Sequence, residues 1–169
     1  FLLVLLVYSS GLFEGLSLKY LDLLFNLRGE VKARDDIVII DIDEEFVSKY
    51  REANAPVSRK YWGRILDVLA DSGVSVVAFD KEFIKPDWSP DGDTILADSI
   101  IKAWDNGAAV VLAGHFSRQL GPVFPLEDFD AEVGFINLDP DADSIVRKMR
   151  PVNILRDGTF IPSFSTICY

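Results

Sequence analysis

Residues 35–45 have the sequence Asp-Asp-Ile-Val-Ile-Ile-Asp-Ile-Asp-Glu-Glu, in which four successive apolar residues are bounded by acids. A strand that is apolar at every position has to be covered on both faces, which is typical of a central strand in a parallel sheet. Because side chains alternate along a strand, Asp41 and Asp43 would share one side and Ile42 would face the other. The stretch therefore predicts a buried strand over residues 37–40, with a carboxylate pair where that strand meets solvent.

Composition limits the classes to which the chain can belong. Its 169 residues are enough for one domain with a substantial core. The 17 basic and 27 acidic residues give a formal charge of −10. Such a surface repels a phosphate backbone, so nucleic acid is not an expected partner. The single cysteine, Cys168, excludes an internal disulfide and a zinc site built from cysteines.

The first thirteen residues carry no charge, and Glu14 is the first charged side chain. A membrane-spanning helix needs about 20 apolar residues, so this run is too short by itself. Since the sequence starts at Phe1 and not at a methionine, we expect the run to be the outer end of a longer span. A buried core helix and the tail of a signal sequence are the alternatives.

From this run onward the pattern predicts an amphipathic helix that ends at Arg28, with Gly29 after it. An apolar stripe follows the three- and four-residue spacing of one helix face. Its members are Leu12, Leu16, Tyr20, Leu23 and Leu27. The stripe could pack on its own domain, or it could be the seam of a homodimer.

Strands and helices alternate along the rest of the chain, which predicts an α/β fold with a mostly parallel central sheet and flanking helices. The pattern indicates strands over residues 74–79, 108–113 and 134–138, and helices around residues 59–72 and 95–105. Near the end, Asp157-Gly158 lies between extended runs and predicts an antiparallel hairpin. We therefore expect two parts: the N-terminal helix in residues 1–30, continuing from the membrane span, and an α/β domain in residues 31–169.

Polar side chains follow the predicted parallel strands. The carboxyl ends of parallel strands lie along one edge of the sheet, where open α/β folds place their ligands. The candidate ligand-binding residues at this edge are Asp41, Asp43, Asp80, Glu82 and His115. Carboxylates there could bind a cation, or the amines and hydroxyls of a small polar solute. Alternatively, each acid caps a helix or stays solvated. The sequence specifies no particular metal and no cofactor.

Evidence for catalysis is weak. Asp139-x-Asp141-x-Asp143 has the spacing that opens a calcium loop, but Ser144 stands where the sharp turn needs glycine and Arg150 where a bidentate glutamate belongs. This segment is better interpreted as a turn held by Asx-type hydrogen bonds. The sequence contains no glycine-rich phosphate loop and no nucleophile elbow.

Several ordered motifs resemble the CHASE type 2 family. They lie in residues 20–29, 37–45, 76–83, 134–148 and 162–164, so the resemblance spans nearly the whole chain. The family often has a basic residue where Leu24 stands and glycine where Ser144 stands. The resemblance carries no binding residue over to this sequence.

The resemblance implies an extracytoplasmic sensor domain of a bacterial membrane receptor. Such receptors carry a cytoplasmic adenylate cyclase, histidine kinase, Ser/Thr kinase or diguanylate cyclase domain, which would lie elsewhere in the full-length protein. We therefore expect a non-enzymatic domain outside the cell membrane, anchored by spans before and after it, binding a small polar ligand or cation and forming a homodimer. The alternatives are a metal-dependent hydrolase using Asp41, Asp43 and Asp80, and a dimerisation or protein-interaction module without a small ligand.

Overall fold

The longest strand, β2 (Ala109–Ser117), lies at the centre of the main sheet. The computed structural model describes residues 12–52, 55–117, 121–123, 129–155 and 158–168. Strands β1 (Val76–Phe79) and β4 (Glu132–Phe135) both pair with β2 in parallel, and β3 (Gly121–Val123) pairs with its C-terminal part in antiparallel orientation. The predicted parallel sheet is therefore present in three strands.

Five helices follow one another along the described part of the chain. Their bounds are α1 (Leu12–Arg28), α2 (Glu44–Tyr50), α3 (Arg59–Asp71), α4 (Gly92–Asp105) and α5 (Phe164–Ile167). The N-cap of α3 is Ser58, as its residue type predicts, because its side chain accepts a hydrogen bond from the backbone N–H of Lys60. After α1, Gly29 has a φ of +70°, the left-handed conformation that commonly ends a helix.

The chain divides into two compact units. The first contains the chain up to Asp41 together with Asp139–Lys148. The second contains Ile42–Leu138 and Met149–Tyr169, and it holds the sheet.

The core of the second unit lies between one face of the sheet and the helices α3 and α4. Alternate positions of β1 and β2 point toward these helices, since successive strand residues face opposite sides. The buried side chains are Val77, Phe79, Val110 and Leu112 from the strands and Trp62, Leu66, Leu96 and Ile100 from the helices. The helix–strand alternation of the sequence therefore produces the predicted flanking layer.

The short helix α5 packs near β4. A Cβ atom added to Gly134 would clash with the backbone of Phe164, so only glycine allows this close approach. Before α5, β5 (Val152–Ile154) and β6 (Phe160–Pro162) form an antiparallel pair. The predicted C-terminal hairpin is therefore confirmed, although residues 156–157 of its turn lie outside the described part of the chain.

The prediction of a buried strand over residues 37–40 is wrong. These residues have no strand assignment in the structure, and their side chains are exposed, with Ile39 reaching 90%. The first strand of the predicted strand–helix alternation is therefore absent from these residues. A run of apolar, β-branched residues favours a strand. A strand also needs a neighbouring strand for its backbone hydrogen bonds, and the local sequence does not show whether the fold supplies one.

Two other sequence predictions have different outcomes. The predicted strand over residues 108–113 is present, but β2 extends further, to Ser117, and pairs there with β3. The predicted N-terminal helix is present as α1, whereas residues 1–11 of the expected membrane span lie outside the described residues. In the part that is described, no helix is both long and apolar enough to cross a bilayer.

Candidate functional site

Glu82 and His115 meet at the carboxyl edge of the sheet. The parallel register places Phe79 opposite Leu112, and Glu82 and His115 each follow three residues further along their own segments. The carboxylate Oε1 of Glu82 lies 2.6 Å from Nδ1 of His115. The two side chains form an ion pair when the histidine is protonated. The contact does not have the geometry of a hydrogen bond. Both side chains are partly exposed and therefore accessible to a solute.

Asp80 lies at the same edge, directly after β1. It is exposed, and within the described ranges it has no hydrogen bond or ion pair. Its carboxylate is therefore solvated, which matches the alternative that some acids after strands simply face water.

Asp43 caps a helix. Its side-chain oxygen accepts a hydrogen bond of 2.8 Å from the backbone N–H of Phe46 at the start of α2. It also lines an open depression of about 500 Å³ together with Ser48 and Arg51. Because the carboxylate accepts a hydrogen bond from the helix backbone, Asp43 fits the interpretation as a helix cap.

Asp41 belongs to the first unit and is exposed. Of the five predicted ligand-binding residues, the structure therefore brings Glu82 and His115 into contact, leaves Asp80 solvated and uses Asp43 as a cap. Within the described ranges, no group of three or more His, Cys, Asp or Glu side chains is arranged to hold a metal ion.

Sequence reasoning missed a buried arginine near the start of α3. Arg59 pairs with Asp93 and donates a hydrogen bond to the backbone carbonyl of Lys85. Its guanidinium also lies over two aromatic rings, 5.3 Å from the centroid of Phe83 and 5.5 Å from that of Phe129. These contacts hold the loop after β1 against α3 and α4.

Asp87 completes this arrangement. It accepts hydrogen bonds of 2.7 Å from the hydroxyl of Ser58 and from the backbone N–H of Arg59, and its own N–H donates to Asp93. A Cβ atom on Gly92 would overlap the Asp87 carboxylate and displace it from its hydrogen bonds, so glycine fits this position. We name Arg59, Asp87 and Asp93 the Arg59 cluster. Asp87 and Asp93 are 28 and 34 residues from Arg59, so no local motif could have indicated the cluster.

A second buried arginine lies in the first unit. Arg147 donates two hydrogen bonds to Asp22, two to Asp143 and one to Asp141, at 2.7 to 3.1 Å. These five bonds match the five N–H donors of a guanidinium. Only 4% of the Arg147 side chain is exposed. We name these four residues the Arg147 cluster.

The Arg147 cluster explains the Asp139-x-Asp141-x-Asp143 segment. Asp143 accepts a hydrogen bond from the backbone N–H of Ile145, which confirms the predicted Asx-type turn. Hydrogen bonds from Arg147 lower the pKa of Asp143 to about 2, and they also lower the pKa of Asp22. The carboxylates of Asp141 and Asp143 therefore bind an arginine of the same chain.

Comparison with known proteins gives one positive result. A family profile described as the CHASE2 domain matches residues 1–168, essentially the whole chain. No curated protein and no solved structure matches. CHASE2 domains are extracytoplasmic sensor domains of membrane receptors and are not catalytic. The motifs that suggested this resemblance include both Asp22 and Arg147, which form an ion pair across 125 residues of sequence. The chain belongs to the CHASE2 domain family.

Proposed function

We propose that this CHASE2 domain is the ligand-sensing part of a bacterial transmembrane receptor and passes its signal to a cytoplasmic cyclase or kinase domain located elsewhere in the full-length protein. Family membership supports the sensor role. The observation that carries the ligand-binding part of the proposal is the contact between Glu82 and His115 at the carboxyl edge of the sheet. A partly exposed carboxylate beside an imidazole suits a cation or a small solute with amine or hydroxyl groups.

A route for the signal starts next to this pair. The backbone N–H of Ile136, directly after β4, donates to the carbonyl of Gly114, which precedes His115. The chain then runs on to Asp139 and the Arg147 cluster, which includes Asp22 of α1. A ligand at His115 would favour one position of the segment after β4, and the cluster would pass this preference to α1. This is a population shift, which requires different affinities for the two states.

The ligand site is tested by thermal shift and calorimetry on the chain of residues 1–169. The probes are chlorides of magnesium, calcium, manganese and zinc, and separately putrescine, glycine and glucose. We expect at least one probe to raise the melting temperature of the wild type and to lose most of this effect in Glu82→Gln and His115→Gln. Asp98→Asn, an exposed acid on α4, is the matched control and should behave like the wild type.

Two outcomes would contradict the ligand proposal. If no probe shifts the melting temperature, the alternative of an interaction module without a small ligand is favoured. If a probe acts equally on the wild type and on both edge variants, its binding site lies elsewhere in the domain. The hydrolase alternative gains no support from the structure, because Asp43, one of its three acids, caps α2.

The cellular location is tested separately. A reporter fused after Arg28 of the full-length protein, of a type that is active only when exported, should be active. A reporter that works only in the cytoplasm should be inactive at the same position. The reverse pattern would overturn the extracytoplasmic location and, with it, the receptor proposal.

A further inference from the structure

Helix α1 has a continuous apolar face that the structure leaves exposed. Five large side chains on this face are between 51% and 73% exposed. They are Phe13, Leu16, Tyr20, Leu23 and Leu27. Their successive steps of three, four, three and four residues are those of the a and d positions of a coiled coil. Phe13 fits this pattern in place of Leu12, the first member of the stripe in the sequence prediction, and we name these five residues the α1 seam.

Two positions on the opposite side of α1 are already occupied. Leu18 is only 7% exposed, and Asp22 is bound by Arg147. At about 100° per residue, Leu18 lies about 180° and Asp22 about 140° from the centre of the seam. In heptad terms they are the f and c positions, which point away from a partner helix. The ion pair that attaches α1 to Arg147 therefore leaves the seam free.

We infer that the α1 seam pairs in parallel with the α1 seam of a second copy of this chain. The charge distribution supports a second copy as the occupant. The chain carries a formal charge of −10, so most of its surface repels another copy. The flanking e and g positions of the seam are Ser17, Lys19, Leu24 and Asn26, and they contain no acid. In a parallel pair, Lys19 faces Leu24 of the second copy, so no like charges oppose each other.

The pairing does not depend on the ligand site. In such a dimer, the two α1 helices would lie beside the molecular two-fold axis, and each would be bound to the Arg147 cluster of its own chain. Failure of this inference would leave the Glu82–His115 proposal unchanged, and failure of that proposal would leave the dimer unchanged.

Light scattering and cysteine crosslinking test the inference on residues 1–169 in a mild detergent. We expect the wild type to have the mass of two chains at tens of micromolar and Leu23→Glu to have the mass of one. Phe25→Glu is the matched control, because Phe25 is a similarly exposed apolar residue on the opposite side of α1. It should keep the dimer mass, and far-UV circular dichroism should show that both variants are folded.

Crosslinking gives a second measurement that does not require a charge in the helix. In a Cys168→Ser background, Tyr20→Cys should form an intermolecular disulfide under mild oxidation, whereas Phe25→Cys should not. A wild type that is monomeric at tens of micromolar would overturn the inference. Equal crosslinking from both positions would also overturn it. A monomer that binds phospholipid vesicles through the α1 seam would overturn the inference as well, because the seam would then contact a lipid surface.

Discussion

Arg147 and Asp22 are 125 residues apart in sequence and form a two-pronged ion pair, with Nε and Nη2 donating to the two carboxylate oxygens at 2.7 and 2.8 Å. Asp22 lies on α1, so this pair fixes the helix to the turn that contains Asp141 and Asp143. A planar guanidinium can bind three carboxylates in this way, because its five donors point in fixed directions. The pair therefore gives the N-terminal helix one defined attachment.

Replacing Arg147 by lysine should loosen α1. An ammonium group is a compact charge with three donors and cannot make two parallel bonds to each of two carboxylates. We expect Arg147→Lys to lower the melting temperature and to speed amide hydrogen exchange in residues 12–28. Lys148→Gln changes the exposed neighbouring cation and serves as the control. Unchanged exchange in α1 of Arg147→Lys would contradict an attachment role for the ion pair.

The pH dependence of stability should reflect the same cluster. The pKa of Asp143 falls from its ordinary value of 3.8 to about 2 because of the hydrogen bonds from Arg147. The stabilisation is therefore present above pH 3.8 and is lost as the pH falls through 2. We expect Asp143→Asn to have a lower melting temperature than the wild type at pH 6, and this difference should shrink between pH 4 and pH 2. A difference that stays constant over this range would show that the carboxylate charge is not what stabilises the turn.

The Arg59 cluster should matter for stability more than for signalling. Removing one partner of a buried ion pair leaves the other charge uncompensated, which typically costs roughly 3 kcal/mol or more. We expect Asp93→Asn to lower the free energy of unfolding by an amount of that order, measured by urea denaturation. Asp98→Asn, on the exposed side of the same helix, should change it by less than about 0.5 kcal/mol. Similar values for the two variants would mean that Arg59 finds other partners or water.

Ser144 has a φ of +66°, in the left-handed region that favours glycine. A non-glycine residue in this conformation costs on the order of 1 kcal/mol. Ser144→Gly should therefore raise the free energy of unfolding, by less than this amount because glycine also adds freedom to the unfolded chain. Ser144→Ala retains a Cβ atom and is the control, with no expected gain. A loss of stability in Ser144→Gly would show that the serine side chain contributes more than the strain costs.

The helices and the parallel strands could be predicted from the sequence because their signals are local. The Ser58 cap and Gly29 end their helices as their residue types indicate. The two arginine clusters could not be predicted in this way. Arg59 and Asp93 are 34 residues apart, and Arg147 and Asp22 are 125 apart, so only the tertiary fold brings them together. The candidate site was predicted in part, because the strand pattern indicates that Glu82 and His115 follow two parallel strands, and these strands pair in the structure.

The segment of residues 37–40 provides the sharpest comparison between the sequence pattern and the structure. Ile39 is 90% exposed, whereas Ile100 of α4 is fully buried in the core. Truncating a buried isoleucine to alanine costs about 2–5 kcal/mol, because it removes apolar contacts and leaves a cavity. An exposed isoleucine makes few apolar contacts, so its replacement should change the free energy of unfolding by less than about 0.5 kcal/mol. Urea denaturation of Ile39→Ala and Ile100→Ala therefore compares the same substitution in two environments. A cost for Ile39→Ala as large as that for Ile100→Ala would show that residues 37–40 are buried in solution, as their sequence alone predicts.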